Sequence, residues 1–352
     1  NNRRHRRSDG HVFQDMWMLR FLLFRIASAV PVLLILSVVT FTIIQAPPGD
    51  YSDYIRSQMI NQGGASFEAA DQQAKAYAKV HGLDQPIPIQ YVNWMWGMIT
   101  RGDFGESMYY NKPVAEVVAE RLPRTLLLAL TCHILASLFG ITFGIVAAKR
   151  QYSWIDQLLA VISFLGMTVP RFLMALIIVY IMVFQFDVND INSFFSPQYG
   201  GAPWSWAKFV NLVQHVWPVV AIATFGGLAY NMRVMRGNLL DTLNAQYVET
   251  ARAKGLSEGA VVLKHAVPNA LHPLVMYQGV VLPYMLTGEI ETAIIFALPT
   301  VGPAIVGSMH VGDVYVTATF MLVLSATLIV GNIIADLLLV LLDPRVRLGG
   351  EK

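Results

Sequence analysis

Two glutamates and one arginine are the residues of this sequence best placed for transport chemistry. Glu289 and Glu291 follow Gly288 inside a long apolar stretch, and Arg171 follows Pro170 inside another. A charged side chain in an apolar membrane segment is costly, so it usually faces a watery cavity or a partner. The positions therefore predict a translocation path at Arg171, Glu289 and Glu291. Two simpler interpretations stay open: Arg171 snorkels from a helix end, or the glutamates lie at the outer mouth of a broken segment.

Other titratable residues near the apolar stretches predict structural roles. We expect Asp313 and His310 to be solvated in a loop, and Asp336 to pair with a basic side chain near the cytoplasmic end of its span. The sequence has no nucleophile elbow, no His-Glu-x-x-His motif and no G-x-x-x-x-G-K-S/T phosphate loop. We therefore expect no catalytic site and no bound cofactor. Four histidines lack the spacing of metal ligands: His133, His215, His265 and His272.

The composition indicates lipid as the solvent of much of the chain. Of 352 residues, 55% are hydrophobic and only 14% are charged, and the mean hydropathy is +0.49. A net charge of +2 gives no indication of nucleic-acid binding. Cys132, the single cysteine, lies in an apolar run and is expected to be a small buried residue.

The apolar runs predict an all-α polytopic membrane protein with six transmembrane helices. Each run is about 20 residues or longer, enough to cross a bilayer. Pro170 in the middle of the third run predicts a tilted or broken helix, and Gly140 and Gly144 in the second predict close helix contact. The runs lie near 20–44, 123–147, 155–186, 212–234, 273–297 and 315–342.

Basic residues alternate along the spans and predict both termini to be cytoplasmic. They precede span one, fill the turn after span two, populate the loop after span four and follow span six. The acidic stretch 45–122 then lies outside, and its helical segments 51–60, 67–81 and 89–100 predict a small external helical subdomain. Its aromatic side chains suit either a docking face for a soluble partner or an interfacial belt: Tyr91, Trp94, Trp96, Tyr109 and Tyr110.

The loop after span four contains two short predicted helices with a break between them. Residues 248–254 favour a helix, Gly255 is placed to end it in the left-handed conformation, and Ser257 can cap the next turn. The second helix is predicted to expose an apolar side that nothing in this chain covers. A partner protein should therefore bind this side, which comprises Leu256, Ala260, Val261 and Leu263.

This loop resembles the EAA loop of ABC importer permeases, with the pattern Glu-Ala-Ala, three residues, Gly, nine residues, Ile-x-Leu-Pro. Glu249, Ala251, Gly255 and Pro268 fall at matching positions, whereas Thr250 replaces the first Ala, His265 the Ile and Val267 the Leu. The sequences ARAKGLSE and KHAVPNALHPL are similar to those at the same place in the peptide/nickel/opine branch of that family. So are the segments 101–107, 111–114, 121–125 and 342–347, although Thr300 replaces a glycine frequent in relatives.

The resemblance implies a type I ABC importer permease fold in a bacterial inner membrane. It implies four kinds of partner: a second homologous permease subunit, two cytoplasmic ATPase subunits that bind ATP-Mg, an external substrate-binding protein and the lipid bilayer. The implied domains are 1–44, the external loop 45–122, a core 123–342 with the coupling loop at 237–272, and a tail 343–352. The implied coupling residues are Glu249, Ala251, Gly255, Leu256, Ser257, His265 and Pro268.

Two questions stay open at the level of sequence. Peptide is the first expectation for the substrate, ahead of opine, oligosaccharide and nickel. The rival class is a proton-coupled secondary transporter, which the intramembrane acids Glu289, Glu291 and Asp336 would serve. The basic loop with its apolar side and the lack of an inverted repeat in the hydropathy favour the ABC permease.

Overall fold

The computed structural model describes residues 2–188, 190–281 and 290–342 and is dominated by helices, so the all-α prediction is confirmed. The elements are α1 (Asn2–Ile44), α2 (Tyr51–Asn61), α3 (Phe67–His81), α4 (Ile87–Arg101), β1 (Glu106–Ser107), β2 (Lys112–Pro113), α5 (Val114–Lys149), α6 (Trp154–Thr168), α7 (Arg171–Phe186), α8 (Pro197–Gly200), α9 (Trp206–Leu243), α10 (Gln246–Ala253), α11 (Glu258–Ala260), a π-helical segment (Val261–Ala266), α12 (Val267–Val281), α13 (Ile290–Ile295), α14 (Val301–Val311) and α15 (Val314–Leu342). They form two compact units, residues 1–118 with 305–352 and residues 119–304.

Four of the described helices are long and apolar enough to cross a membrane: α1, α5, α9 and α15. A fifth candidate is the pair α6 and α7, which meet at an angle of 103° next to Pro170. The predicted break in the third apolar run is therefore confirmed. The predicted fifth span, 273–297, includes residues 282–289, which lie outside the described residues. The count of six spans stays a prediction.

The first unit pairs α1 with α15. Arg25 of α1 and Asp336 of α15 form an ion pair at 2.7 Å between Nη2 and Oδ2. Opposite charges in adjacent membrane helices relieve the cost of placing either one in an apolar setting. The predicted basic partner of Asp336 is confirmed, and the structure identifies it as Arg25.

Helices α2 to α4 match the three helical segments predicted for the loop after span one, and their ends have local causes. Asp50 caps α2 by accepting hydrogen bonds from the backbone N–H groups of Ser52 and Asp53. The Ser66 hydroxyl accepts from the backbone N–H of Ala69 at the start of α3, at 3.3 Å. Gly82 ends α3 in the left-handed region, at φ +68°. Caps of this kind satisfy the backbone groups that a helix end leaves unpaired.

Asp313 is fully buried, and the prediction that it is solvated is wrong. Its carboxylate accepts hydrogen bonds from the Ser107 hydroxyl (2.8 Å), the backbone N–H of Tyr109 (3.0 Å) and the backbone N–H of Val316 (3.3 Å). Three donors compensate for the water that the carboxylate loses. Burial raises the pKa of Asp313, although the hydrogen bonds oppose this shift. His310, in contrast, is exposed as predicted, although it lies in helix α14 and not in a loop.

Trp94 is also buried, with 5% exposure, and so cannot belong to a docking face. Its ring stacks on Phe41 at 5.3 Å between centroids, and its Nε1–H donates to the backbone carbonyl of Phe104. A buried indole usually finds a partner for its N–H in this way. Of the five aromatic residues named in the prediction, Trp96 and Tyr109, at 67% and 43% exposure, are the two whose side chains are most available to a partner or to the membrane interface.

In the second unit, glycines bring neighbouring helices close to α9. A Cβ added to Gly140 would lie 2.7 Å from the Leu228 carbonyl oxygen, and one added to Gly144 would lie 2.7 Å from that of Met232. Such distances leave no room for a side chain, so the predicted close contact at this glycine pair of α5 is confirmed. Gly166 of α6 also lies close to α9, because a Cβ added to it would lie 2.8 Å from Ala229 Cβ.

Candidate functional site

Helix α10 is anchored to the end of α9 by its apolar side. Val248 and Ala251, one turn apart, are 0% and 6% exposed and belong to one cluster with Met235 and Leu239 of α9. Glu249 lies on the exposed side of the same helix. The predicted coupling residues Glu249 and Ala251 therefore have opposite environments: one faces outward, and the other fixes the helix to the membrane core.

Gly255 adopts the left-handed conformation that its position predicts, with φ +78°. A Cβ added there would meet no atom within 4 Å, so only backbone strain opposes a side chain. Leu256 follows and is 43% exposed. Ser257 occupies the N-cap position of α11, as predicted, but its side chain makes no capping hydrogen bond.

An ion pair that the sequence analysis missed closes the turn around Gly255. Arg252 of α10 donates from Nε and Nη2 to the two carboxylate oxygens of Glu258 of α11, at 3.1 and 2.9 Å. Arg252 also donates to the backbone carbonyl of Leu243 at the end of α9. The hydrogen bond from Arg252 lowers the pKa of Glu258. This bidentate ion pair holds α10 in place relative to α11.

The π-helical segment changes which residues of the second helix are exposed. Val261 and Val262 are both buried, at 0% and 2% exposure, so the prediction that Val261 contributes to an exposed apolar side is wrong. A π turn is wider than an α turn and shifts successive side chains around the axis. Pro268, exposed in the first turn of α12, lacks an N–H and gives a local reason for the irregular ladder.

We call residues 246–268, from α10 to the start of α12, the coupling segment. Three large apolar side chains remain exposed on it and define the coupling face: Tyr247 (45%), Leu256 (43%) and Leu263 (59%). His265 is half-buried near this face. The buried valines attach the segment to α9, and the coupling face points away from that attachment. The chain therefore carries an exposed apolar surface on a rigidly packed support.

The residues predicted for the translocation path are only partly described. Arg171 is the first residue of α7 and is half-buried; its Nη2 lies 3.4 Å from where a Cβ on Gly226 of α9 would be. The missing side chain at Gly226 thus leaves space for the guanidinium. Glu291 is exposed on α13, which packs against α7. Glu289 lies outside the described residues.

A chain of uncharged polar side chains connects the three helices α5, α9 and α12 and was missed from the sequence. The Ser137 hydroxyl of α5 donates to Gln278 Oε1 of α12 at 3.1 Å, and Gln278 Nε2 donates to Asn231 Oδ1 of α9 at 3.0 Å. Tyr230 and Tyr277 stack beside it at 4.6 Å between centroids. Polar residues inside apolar runs were the available signal, because membrane helices use them to bind one another.

Comparison with known proteins identifies the class. The chain belongs to the family of binding-protein-dependent transport system inner membrane components, whose model matches residues 140–348, and the N-terminal model of that family matches residues 18–129. It is thus a multi-pass membrane permease component of an ABC transporter, a component that is not itself an ATPase. The rival interpretation as a secondary transporter is excluded by this membership, and Asp336 has its structural partner in Arg25.

Two relatives extend the match over nearly the whole chain. The oligopeptide transport system permease protein AppB of Bacillus subtilis is 35% identical over 334 residues, which cover 94% of this chain and 99% of the relative. A probable peptide ABC transporter permease protein of Sinorhizobium fredii is 30% identical over 327 residues, covering 93% of this chain and 99% of the relative.

Proposed function

We propose that this chain is one of two permease subunits of an ATP-driven peptide importer, and that residues 246–268 couple it to a partner ATPase. The names of the two relatives support peptide as the substrate class. In this proposal both termini are cytoplasmic, and the 45–122 region faces an external binding protein. ATP-Mg is bound and hydrolysed by the partner subunits, because this sequence has no phosphate loop.

The observation that carries the proposal is the two-sided construction of the coupling segment. Its inner side is buried with Met235 and Leu239 of α9, while the coupling face of Tyr247, Leu256 and Leu263 is left for a partner. Closely packed interiors deform little, so a displacement applied to the coupling face moves α9 with it. The glycine contacts of α5 and α6 with α9 would carry the motion to the other membrane helices.

Substrate would then pass along the second unit. Arg171 and Glu291 offer charges for the ends of a peptide, and the Ser137–Gln278–Asn231 chain offers amide and hydroxyl groups of the kind that bind peptide bonds. Glu289 completes the proposed set. Weak contacts of this kind suit a path, because a substrate must leave it as readily as it enters.

The proposal is tested at Gly255. Gly255→Val forces a β-branched residue into the left-handed region at a cost of about 1–2 kcal/mol, or moves Leu256 away from the partner. In reconstituted complexes we expect the variant to insert normally, to lose peptide-stimulated ATP hydrolysis and to retain the ATPase subunits poorly. The matched control is Gly259→Val, because Gly259 is exposed, has no positive φ and leaves an added Cβ free of contacts.

Normal stimulated hydrolysis in Gly255→Val would overturn the coupling assignment. Stimulation of the wild-type complex by an opine, an oligosaccharide or nickel but not by peptides would overturn the substrate class and leave the coupling assignment intact.

A further inference from the structure

A groove between α6 and α9 combines apolar walls with an exposed arginine, Arg233. It encloses about 700 Å³, with α6 and α9 as walls and Ala147 of α5 at its floor. Leu159, Phe164 and Met167 line its α6 side, and Arg233 and Arg236 lie on its α9 side. Neither the coupling segment nor the proposed path uses this groove.

The two arginines are not equivalent. Arg236 is neutralised by Asp156, to which it donates from Nε at 2.7 Å and from Nη2 at 2.8 Å. Arg233 is exposed, and no acid among the described residues forms an ion pair with it. Within the part of the chain that the structure describes, the groove therefore holds one positive charge without an acidic partner, and its ligand should be an anion.

Exposed aromatic side chains place the cationic end of the groove at the membrane interface. Tyr152 and Trp154, at the start of α6, are 80% and 72% exposed. Tyrosine and tryptophan concentrate at the level of the lipid headgroups. Asp156 is in the same first turn and pairs with Arg236, so Arg236 is level with that interface, and Arg233 lies about 4.5 Å deeper along α9.

The apolar wall continues from this level into the membrane. From Asp156 to Met167 the α6 wall rises about 16 Å, close to the half-thickness of about 15 Å of the hydrocarbon core. Phe164 and Met167 are 65% and 47% exposed and so can cover an acyl chain. Gly237 leaves the mouth open, because a Cβ added there meets no atom within 4 Å.

We propose that this groove binds one acidic glycerophospholipid, with its phosphate on Arg233 and an acyl chain along Leu159, Phe164 and Met167. Basic pockets between membrane helices bind lipid headgroups through the same combination of charge and apolar contact. The inference is independent of the substrate and of the coupling face. It requires only that the chain is inserted in a bilayer.

The test is lipid binding to the purified full-length chain in a neutral detergent, followed by native mass spectrometry. We expect one phosphatidylglycerol to bind in preference to phosphatidylcholine. Arg233→Gln should weaken phosphatidylglycerol binding about tenfold, and Arg233→Lys should restore most of it. Gly237→Leu should weaken binding of both lipids with all charges intact, because it fills the mouth. The control is Arg150→Gln, an exposed cation outside the groove.

Several outcomes would overturn the proposal. Equal binding of the two lipids would show that charge plays no part, and equal loss in Arg150→Gln and Arg233→Gln would indicate a diffuse surface effect. Displacement of the lipid by millimolar inorganic phosphate would assign the groove to a free anion. Loss of the lipid on assembly with the second permease subunit would assign the groove to a protein interface.

Discussion

The helices around α9 and the loop region of residues 45–113 are held together by different means. Around α9 the contacts depend on what is missing: Gly140, Gly144 and Gly166 have no side chain where the neighbouring helix passes. In the loop region the contacts depend on what is present, namely capping side chains such as Asp50 and Ser66. Lipid solvates apolar side chains as well as a neighbouring helix does, so membrane helices associate through closely fitting surfaces. Helices in water are stabilised instead by side chains that bind the unpaired backbone groups at their ends.

Substitution of Gly144 should have the largest effect. Gly144→Leu puts a side chain where the Met232 carbonyl oxygen and Met235 Cβ already lie within 2.7 Å of the added Cβ. We expect a loss of more than about 3 kcal/mol, visible as failure to accumulate or as a large fall in melting temperature in detergent. The matched control is Gly259→Leu in α11, where an added Cβ meets no atom within 4 Å, and it should melt like the wild type. Equal melting of both variants would contradict the glycine argument.

Asp313 should come next, because the loop region there relies on a single carboxylate. Asp313→Ala leaves the Ser107 hydroxyl and the backbone N–H groups of Tyr109 and Val316 without their acceptor in a buried site. We expect a loss of about 2–3 kcal/mol and faster hydrogen exchange of residues 106–113. Asp84→Ala, an exposed acid in the same region, serves as the control and should change neither quantity.

The pH dependence of this effect has a defined sign. Because burial raises the pKa of folded Asp313 above its unfolded value, folding favours the protonated carboxyl. The resulting stability is fully present below the unfolded pKa, about 4, and is lost as pH rises through the folded pKa. The melting temperature of the wild type relative to Asp313→Asn should therefore decrease from pH 4 toward neutrality. An increase would mean that the hydrogen bonds outweigh burial.

The smallest expected loss of stability concerns two serines that both occupy the N-cap position of a helix, Ser66 and Ser257. Ser66 caps α3 through its hydroxyl, whereas Ser257 occupies the same position before α11 without a capping hydrogen bond. Ser66→Ala should cost about 1 kcal/mol, and Ser257→Ala close to nothing. Hydrogen exchange of the first turn of each helix measures both, and a larger loss at Ser257 would contradict the assignment.

The sequence predicts those parts of the fold that have local causes. The helices α2 to α4, the break at Pro170 and the left-handed Gly255 each follow from a few adjacent residues. Helix α5 begins at Val114, nine residues before the predicted span. The prediction missed its first turns because they contain charged residues, which a hydropathy pattern does not mark. Hydropathy detects the part of a helix that lies in lipid and not the turns beyond it.

Features that depend on distant residues or on irregular geometry were not predictable. Asp313 is buried by Ser107 and Tyr109, which lie about two hundred positions away in the chain. The two-residue strands β1 and β2 are too short to produce an alternating pattern. Val261 is buried and not on the predicted exposed side, because the π-helical segment shifts successive side chains around the helix axis relative to a regular α-helix.

That π-helical segment also sets the rotation of the residues before it relative to helix α12, which follows it. In an α-helix one residue corresponds to a rotation of about 100°, so a segment that accommodates an extra residue turns everything before it relative to everything after it. Residues 261–266 separate Leu256 from helix α12. Losing or gaining one residue there would rotate Leu256 about the axis of α12 without substituting Leu256 or Tyr247. The direction in which Tyr247 and Leu256 project relative to α12 is thus controlled by the π-helical segment, which itself contributes Leu263 to the coupling face.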